Sequence, residues 1–467
     1  MITLRKIFEL GIVLIVLFLS PISCIFIDVS AVQNVAISQR SLENSPHQLN
    51  LTYKPHVVVA MIDSGVNIYH EVFQKPNLTQ HPSTYIEGFP SDVESVNLTF
   101  GDNYSSNYEY DKDIWEHQLK QRTLYWFPHT NIIGISFGNS TFYSQEDLGY
   151  SIIDIAGHGT ETTSVIEKIN PNVTIVVVQV GANKVNEALS WAVNQSWIDI
   201  IDIEFGVWYK PRVLIPTTIW WTGAQAITKR GVEQGKIIVT ATGNKPWINP
   251  TLSFLSGPPW VISVGGAEGY CHGVSITATK DADYVSSFTQ IAAVINSTSK
   301  YYPASGTSLS IPTVVGTISS IIFKVREELN YTHGILNKTL VDIPEKGIHI
   351  TNSDIRNALN YTAVYWKTTD WSFRDWITKS PWKNVVDPFT DEPLPLFIRI
   401  LMRKAIRTLP VNPVAPWLQM GWGFIDASIV NDSVDVLADR KPMPEKPDGA
   451  VRYMENIYRI REKIWGG

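Results

Sequence analysis

Apolar runs that alternate with amphipathic segments constrain the fold of this chain more than any other feature. Residues 56–62 and 173–180 each form a nearly continuous apolar run of strand length, which is typical of a strand buried on both faces of a sheet. Segments of helical length separate such runs, as in right-handed βαβ units. We therefore predict an α/β fold whose parallel sheet is covered by helices on both faces. The other predicted elements are the helices 157–169, 187–193, 222–233 and 354–362 and the strands 198–205, 236–241 and 260–264.

The composition favours a large folded domain and argues against a nucleic-acid-binding protein. The 467 residues are 44% hydrophobic, which is enough for one enlarged catalytic domain or for about two to three ordinary ones. Charged residues make up only 18% of the chain, and the net charge is −6. Because nucleic-acid binding needs clustered positive charge, we expect no nucleic acid among the partners.

Residues 1–31 are predicted to be a signal peptide for export. Arg5 and Lys6 precede a long apolar run, and small residues at its end supply a cleavage site. The uncharged segment 10–27 is also just long enough to span a bilayer, so an uncleaved signal anchor is the alternative. The first reading predicts a secreted protein, and the second predicts a membrane-anchored protein that faces outside.

Cysteine and asparagine usage bear on the same question. Cleavage of the signal would leave Cys271 as the only cysteine, so disulfide bonds cannot hold the mature fold together. Twelve Asn-x-Ser/Thr motifs occur, against about 4 expected from the content of Asn, Ser and Thr, which predicts a glycosylated exterior and supports export. Their asparagines are Asn50, Asn77, Asn97, Asn103, Asn139, Asn172, Asn194, Asn296, Asn330, Asn337, Asn360 and Asn431.

Four short motifs stand at the ends of predicted strands or at the starts of predicted helices. A serine at a helix start lies among backbone N–H groups that have no helical partner, which is a favourable place for an oxyanion to form. A serine nucleophile needs a base, and the base needs a carboxylate to orient it. Taken singly, each motif also fits an ordinary turn or helix cap. The motifs are Asp63-Ser64-Gly65-Val66, Gly157-His158-Gly159-Thr160, Ala241-Thr242-Gly243-Asn244 and Gly306-Thr307-Ser308-Leu309-Ser310-Ile311-Pro312.

Together these motifs resemble those of the subtilisin-like serine proteases, in which Asp, His and Ser follow one another in this order. The resemblance covers roughly residues 56–427 and implies a three-layer α/β fold. It also implies that Ser308 is the nucleophile, that His158 is the general base and then acid, and that Asp63 orients the histidine. Asn244 is similar to the side-chain oxyanion donor of the family, which works beside the backbone N–H of Ser308.

The resemblance also predicts where substrate binds. Residues 203–206 align with the strand that pairs with the substrate backbone in this family, a mode of recognition that does not depend on substrate sequence. The family has a small serine where this chain has Glu204. This glutamate either selects a basic side chain or points to solvent, and we favour solvent. The residues that the resemblance places at the substrate are Glu204, Phe205, Gly206, Ala241, Thr242 and Gly243.

Two insertions distinguish the chain from compact members of the family. Residues 80–150 are rich in Tyr, Asn, Ser and Asp, so we predict a surface elaboration rather than core. Residues 366–417 are rich in Trp and Pro, so we predict a satellite apolar cluster there. The first insertion also carries four carboxylates that could hold a structural calcium ion, although a solvated acidic loop is the preferred interpretation. They are Asp102, Glu109, Asp111 and Asp113.

The predicted catalytic domain spans residues 56–435, between a short N-terminal arm, 32–55, and a charged C-terminal tail, 436–467, with a short helix. The arm is shorter than the usual folding prodomain of the family, so maturation is expected to differ. Residues 161–163 are Glu-Thr-Thr where many relatives have His-Val-Ala, and the charge of Glu161 is expected to raise the pKa of His158. His70 resembles a common family residue and is interpreted as structural.

These observations predict a secreted serine endopeptidase that acts on peptide or protein substrates through an acyl-enzyme. A structural calcium ion is the one cofactor that the sequence suggests. The alternative hypothesis is a catalytically silent surface or binding protein on the same fold, since a fold does not by itself determine function. The short arm and the aromatic insertion motivate that alternative, whereas a complete set of catalytic side chains argues against it.

Overall fold

The computed structural model describes residues 56–138, 151–181, 184–204, 222–244, 255–270, 273–276, 282–329, 339–343, 347–365, 409–410 and 415–466. The strands in these ranges are β1 (Val57–Asp63), β2 (Glu94–Ser95), β3 (Tyr125–Trp126), β4 (Ile132–Ser136), β5 (Val173–Gln179), β6 (Ile200–Ile203), β7 (Ile237–Ala241), β8 (Ile262–Tyr270), β9 (Gly273–Ile276), β10 (Tyr284–Ser287), β11 (Thr289–Ala293), β12 (Tyr301–Ser305), β13 (Val341–Ile343), β14 (Ile348–Ile350) and β15 (Leu409–Pro410). The α-helices are α1 (Tyr104–Tyr110), α2 (His158–Ile169), α3 (Val185–Asn194), α4 (Thr222–Glu233), α5 (Thr307–Glu328), α6 (Asn352–Thr362), α7 (Trp417–Met420), α8 (Val430–Leu437) and α9 (Asp448–Trp465).

Eleven of these strands form one sheet, in the order β15-β9-β8-β7-β6-β1-β5-β4-β3-β2, with β10 pairing with β8. The centre is parallel: β1 lies between β5 and β6, and β7 and β8 continue on the β6 side. Antiparallel pairing is confined to β3–β4, β8–β9 and β9–β15 within this sheet. The predicted α/β fold with a parallel central sheet is thereby confirmed.

Each face of the sheet carries its own apolar core, which gives three layers. On one face, odd-numbered residues of β1 such as Val59 and Met61 pack with Ile311 and Val315 of α5, and α2 and α6 contribute to the same cluster. On the other face, even-numbered residues such as Ala60 pack with α3 and α4. Because neighbouring residues of a strand face opposite sides, a strand buried on both faces must be apolar throughout, as predicted.

Helix α5 is the central helix of one layer. Its apolar residues from Ile311 to Val325 belong to the core on one face of the sheet, and most of its side chains are buried. It is also the one helix in the described ranges that is long and apolar enough to cross a membrane. Because 78% of its most apolar stretch is buried inside the protein, α5 behaves as the core helix of a globular domain.

The prediction that residues 80–150 form only a surface elaboration is wrong for much of that segment. Strand β4 pairs with β5 and extends the sheet, and Ile133 and Ile135 on it are buried. Trp115 and Phe127 are almost completely buried as well. The polar composition of the flanking loops hides these short apolar stretches, because the average polarity of the whole segment is that of a surface loop. Residues 139–150 lie outside the described ranges.

The carboxylates of this insertion do not come together as a calcium site. Asp111 is buried and accepts hydrogen bonds from the Tyr69 hydroxyl at 2.9 Å and the Thr99 backbone N–H at 2.8 Å. Asp113 is exposed and pairs with His117. Asp111, which was expected to be solvated, therefore links the insertion to the core through these hydrogen bonds.

The C-terminal residues form a longer helix than predicted, because α9 begins at Asp448. Arg461 on α9 is buried, and its guanidinium donates to Asp283 at 2.9 Å and to the backbone carbonyls of Gly257 and Pro258 at 2.7 Å. The predicted arm, 32–55, and most of the predicted Trp-rich insertion lie outside the described ranges.

Candidate active site

Asp63 and His158 form the centre of the candidate site. Asp63 is the last residue of β1, and His158 is the first residue of α2. The Nδ1 atom of His158 lies 2.9 Å from Oδ2 and 3.0 Å from Oδ1 of Asp63. Thr162, one turn into α2, donates its hydroxyl to Asp63 Oδ2 at 3.0 Å, and the Ser64 N–H bonds Oδ1 at 2.6 Å. These contacts fix the carboxylate so that it faces the imidazole.

The buried carboxylate controls the protonation of the histidine. The charge of Asp63 is the main cause that raises the pKa of His158 to about 9. Burial opposes this rise, whereas the hydrogen bond to Asp63 and the charges of Glu161 and Asp154 add to it. The expectation that Glu161 raises the pKa of His158 is therefore confirmed, with Asp63 as the larger cause. The imidazole side chain is 38% exposed, so one side of the ring is open to a ligand.

Asp154 holds the start of α2 in place, and the sequence analysis missed it. Its Oδ1 accepts from the Ser64 hydroxyl and from the backbone N–H groups of Ala156 and Gly157, each at 2.9 Å. Its Oδ2 accepts from the backbone and hydroxyl of Thr160. Asp154 thus satisfies N–H groups at the start of the helix and ties the helix to the turn after β1. An acid a few residues before a helix start was the available signal.

Glycine at position 159 allows the two motifs to approach each other. A Cβ at Gly159 would lie 2.1 Å from the carbonyl oxygen of Gly65, so no other residue fits there without displacing backbone. Gly65 itself has φ +126°, in the region that favours glycine. The glycines of the Asp and His motifs therefore bring the two motifs into direct backbone contact.

Ser308 is the second residue of α5 and is half-buried. The helix begins after Gly306, whose N–H bonds the Phe288 carbonyl at 2.9 Å. The Ser308 hydroxyl makes no hydrogen bond to His158 in this structure. Catalytic hydrogen bonds are often long before substrate binds, so this geometry does not remove His158 as a base.

Asn244 is fixed by the residue before the candidate nucleophile. Its Oδ1 accepts from both the backbone N–H and the hydroxyl of Thr307, each at 2.8 Å. The contacts of Oδ1 fix the orientation of the amide, and its Nδ2 group, which carries the only N–H donors of the side chain, is left to donate to a ligand. Gly243, in the left-handed region at φ +95°, turns the chain after β7 so that Asn244 reaches α5.

Glu204 does not point to solvent, so the favoured sequence interpretation is wrong. It follows β6 directly, is 8% exposed, and both of its carboxylate oxygens are buried without a hydrogen bond. One carboxylate oxygen of Asp63, one ring nitrogen of His158 and one carboxylate oxygen of Glu204 all lie within 4.8 Å of one another. Burial, together with the charges of Asp202 and Asp63, holds the pKa of Glu204 well above its usual range, whereas interaction with the Ser308 hydroxyl opposes this.

Register explains why Glu204 faces inward. Met61 and Asp202 are opposite each other on β1 and β6, so Asp63 and Glu204, two residues further along, project from the same face. That face is the one covered by α2 and α5, which carry His158 and Ser308. The register of β6 against β1 therefore directs the Glu204 carboxyl group toward the side of the sheet that carries the nucleophile and its base.

The other predicted substrate-binding residues are only partly described. Ala241 ends β7, Thr242 is buried with no hydrogen-bond partner for its hydroxyl, and Gly243 has open space where a Cβ would lie. Phe205 and Gly206 lie outside the described ranges, so their contacts with substrate stay predictions.

His70 lies away from the dyad as a buried side chain. Its Nε2 bonds the Lys300 carbonyl at 3.0 Å, and its Nδ1 accepts from the Val72 N–H at 3.3 Å. The second of these bonds caps the short helical turn Glu71–Phe73, and both fit the structural role that was expected.

Within the described ranges, Asp63, His158 and Glu204 are the one set of three or more metal-ligating side chains that converge. Asp63 and His158 already form a carboxylate–histidine pair. A pair of this kind beside a serine is the arrangement that serine hydrolases use for acyl transfer. The pair therefore has the geometry expected of a proton-transfer pair.

Several solved structures are similar to this chain. The chain is similar to a lanthipeptide protease, at 15% identity and a TM-score of 0.43 over 83% of this chain and 89% of that one. It is also similar to the prenylagaramide maturation protease PagA, at 13% identity and a TM-score of 0.41 over 81% and 94% of the two chains. A third similar structure, the epidermin leader peptide processing serine protease (EpiP) from Staphylococcus aureus, has 14% identity and a TM-score of 0.41 over 84% and 77%. These values are too low to bear on function.

A search of curated proteins finds no match. Comparison with family models gives a stronger result. The model of the subtilase family matches residues 54–325, more than half of the chain, and this range contains all four motifs. The chain therefore belongs to the subtilase family.

Proposed function

We propose that this protein is a secreted serine endopeptidase that hydrolyses peptide bonds through an acyl-enzyme on Ser308. Membership of the subtilase family supports protease chemistry on peptide or protein substrates. The observation that carries the residue assignment is the 2.9 Å contact between Asp63 and His158, made at the edge of the sheet where α5 presents Ser308. A serine, an oriented imidazole and a buried carboxylate are the three groups that acyl transfer needs.

In the first half of the reaction, the Ser308 hydroxyl oxygen attacks the carbonyl carbon of the scissile bond. His158, in its neutral form, accepts the hydroxyl proton, and Asp63 stabilises the imidazolium that results. The imidazolium then donates this proton to the leaving amine as the C–N bond breaks. Water attacks the remaining ester by the same route, with His158 again accepting a proton and returning it to Ser308.

Asn244 supplies charge stabilisation during both steps. Thr307 holds the Asn244 amide oxygen at 2.8 Å, so the Nδ2 group donates to the developing oxyanion without reorganisation. The backbone N–H of Ser308, in the first turn of α5, supplies the second donor. Both donors are therefore in place before substrate arrives.

Export is supported by the surface positions of the acceptor asparagines. Seven of those in the described ranges are exposed: Asn77, Asn97, Asn103, Asn172, Asn194, Asn296 and Asn431. Glycosylation requires access to the side-chain amide, so this distribution favours a secreted glycoprotein. An anchor formed by an uncleaved segment 10–27 would place the same domain on the outer surface of a membrane.

Digestion of a mixed peptide library, followed by mass spectrometry of the products, tests the activity and its substrate preference together. The wild-type protein should produce new internal termini, and the Ser308→Ala variant should produce none above background. Folded wild-type protein that cleaves no peptide and no denatured protein, yet binds a cell surface, would instead support the silent binding protein.

A further inference from the structure

The hairpin formed by β11 and β12 packs against both helices that carry candidate catalytic residues. Its strands pair antiparallel, and β12 runs directly into the start of α5, which carries Ser308. Ala292 and Ala304 of the hairpin share a small apolar core with Val165 of α2 and Leu309 of α5. The hairpin therefore contacts the helix of the nucleophile and the helix of the base.

Tyr302 of β12 reaches from this hairpin to the first turn of α2. Its hydroxyl donates a hydrogen bond to Oε1 of Glu161. The register places Tyr302 opposite Ala292, so the tyrosine lies on the face of the hairpin that packs against α2. Glu161 stands three residues after His158, and residues at this spacing are neighbours on one face of a helix. The hydrogen bond thus links the hairpin to the acid that neighbours the base.

This hydrogen bond favours the ionised form of Glu161. Burial raises the pKa of Glu161, whereas the hydrogen bond from Tyr302 and the charge of His158 oppose the rise. Burial and the hydrogen bond to Glu161 raise the pKa of the Tyr302 hydroxyl, so the tyrosine remains a donor. The charge of Asp63 is the main cause that raises the pKa of His158, and the charges of Glu161 and Asp154 add to it. Without Tyr302, more of Glu161 would be neutral and less negative charge would act on the histidine.

The other elements that pack against α2 direct their charges elsewhere. Strands β5 and β11 have no charged residue, and the charged residues of α5 lie at 324–328, far along the helix from Ser308. Further along α2 itself, Glu167 forms an ion pair with Lys75. Apart from Asp63 on β1 and the acid before α2, the hairpin therefore supplies the side chain that acts on the first turn of this helix.

Tyr301, the neighbour of Tyr302 on β12, has different partners. Its ring lies 4.8 Å from that of His70, measured between centroids, and the Lys168 Nζ atom lies 5.0 Å from its centre. Its hydroxyl interacts with Glu71. Two tyrosines that follow each other in one strand therefore contact separate sets of charged groups, which makes Tyr301 a matched control for Tyr302.

We propose that Tyr302 is a positioning residue that holds the Glu161 carboxylate, in its charged form, beside His158. The role is indirect: Tyr302 donates to Glu161, and Glu161 together with Asp63 stabilises the imidazolium form of His158. The hairpin that leads to Ser308 thereby contributes to the strength of the base and favours activity at alkaline pH. The inference rests on the proposed function, because it concerns the base of the same reaction.

Titration of His158 by NMR tests the proposal without any substrate. Histidine-labelled Ser308→Ala, which cannot digest itself, is compared with the same protein carrying Tyr302→Phe, Glu161→Gln or both. Glu161→Gln should lower the pKa of His158 and raise the fraction of neutral imidazole at about pH 7 by about 1.5–2-fold, the effect of an ion pair at this helical spacing. Tyr302→Phe should act in the same direction and by no more than this. In the Glu161→Gln background, Tyr302→Phe should have no further effect.

The rate at which a fluorophosphonate probe labels Ser308 gives a second readout in the protein with its serine. Tyr302→Phe should raise the labelling rate at about pH 7, where neutral imidazole is scarce, and leave it unchanged at about pH 10, where His158 is already neutral. Tyr301→Phe should change neither the titration nor the labelling rate. Thermal unfolding checks that each variant is folded, and Tyr302→Leu replaces Tyr302→Phe if the latter does not fold.

An unchanged titration of His158 in Tyr302→Phe would overturn the proposal. An equal effect of Tyr302→Phe with and without Glu161, or an equal effect of Tyr301→Phe, would overturn it as well, because the tyrosine would not then act through this carboxylate. A titration that changes as expected in a protein whose Ser308 the probe does not label would overturn the proposed function and leave the contact between Tyr302 and Glu161 established. The two failures are therefore distinguishable.

Discussion

The Oδ2 atom of Asp63 lies 2.9 Å from Nδ1 of His158, and the two partners differ in exposure: the carboxylate is 5% exposed and the imidazole 38%. The carboxylate is held by a backbone N–H and by the hydroxyl of Thr162, whereas among the described residues the carboxylate alone is hydrogen-bonded to the histidine ring. Asp63 is therefore the fixed member of the pair. This contact helps to set the ring orientation, and with it the position of the second nitrogen.

The first prediction concerns stability and pH. The pKa of His158 is about 9 in the folded protein and about 6.5 when unfolded. The raised pKa means that the pair stabilises the fold fully below about pH 6.5 and that this contribution is lost as the pH rises through about 9. The melting temperature of Ser308→Ala, which cannot digest itself, should therefore fall between these pH values. Adding Asp63→Asn should flatten this change, and an unchanged slope would contradict the account.

The second prediction concerns the oxyanion donor. Replacing Asn244 with alanine removes a donor that Thr307 holds in place, so kcat should fall by about 10²–10³, as for other enzymes that lose one such donor. KM should change little, because the donor acts on charge that forms only in the transition state. Steady-state kinetics on a peptide substrate measure both parameters. A variant that raised KM but kept kcat would show that Asn244 binds substrate instead.

The third prediction concerns Asp154, which positions His158 through the start of α2. Asp154→Ala leaves several N–H and hydroxyl donors without a partner and should cost about 2 kcal/mol in the free energy of unfolding. Displacement of His158 should also lower kcat, roughly 10²-fold. Asp354→Ala, which removes the capping box at the start of the remote helix α6, is the matched control. It should cost about 1 kcal/mol without changing kcat.

The fourth prediction concerns the C-terminal helix. Arg461→Ala removes a buried cation from Asp283 and from several carbonyls, so it should lower the free energy of unfolding by about 3–5 kcal/mol. Arg459→Ala, on the exposed face of the same helix, should change it by less than about 0.5 kcal/mol. Denaturant unfolding of both variants checks the difference. Similar midpoints would show that α9 is not part of the cooperative fold.

The fifth prediction concerns glycosylation. Protein secreted from eukaryotic cells should carry glycans at exposed acceptors such as Asn77 and Asn296. Asn360 should remain unmodified, because it is half-buried on α6 and accepts a hydrogen bond from the Tyr284 hydroxyl. Glycopeptide mass spectrometry before and after enzymatic removal of the glycans identifies the sites. An unmodified protein would count against export through a glycosylating pathway.

The positions of the candidate catalytic residues could be predicted from sequence, because each stands where a regular element begins or ends. An apolar run that stops at Asp63 defines the edge of a parallel sheet, and Gly157 and Gly306 mark helix starts beside His158 and Ser308. These are local signals. The family order of the motifs then predicts which of them lie together, and the structure brings Asp63 and His158 into contact.

What could not be predicted depends on contacts between distant residues. The direction of Glu204 follows from the register of β6 against β1, and one residue of slippage would reverse it. The network of Asp154 depends on a turn that is 90 residues away in the chain. Strand β4 was hidden because a five-residue stretch with three isoleucines, set in a polar insertion, is recognisable as core only once β5 is beside it.

The most direct test of the account is to identify the residue that a fluorophosphonate probe modifies in the folded protein. Tandem mass spectrometry of a digest should place a single adduct on the peptide that contains Ser308, and the Ser308→Ala variant should carry none. An adduct on another residue, or equal labelling of the variant, would contradict the claim that Ser308 is the nucleophile of this subtilase.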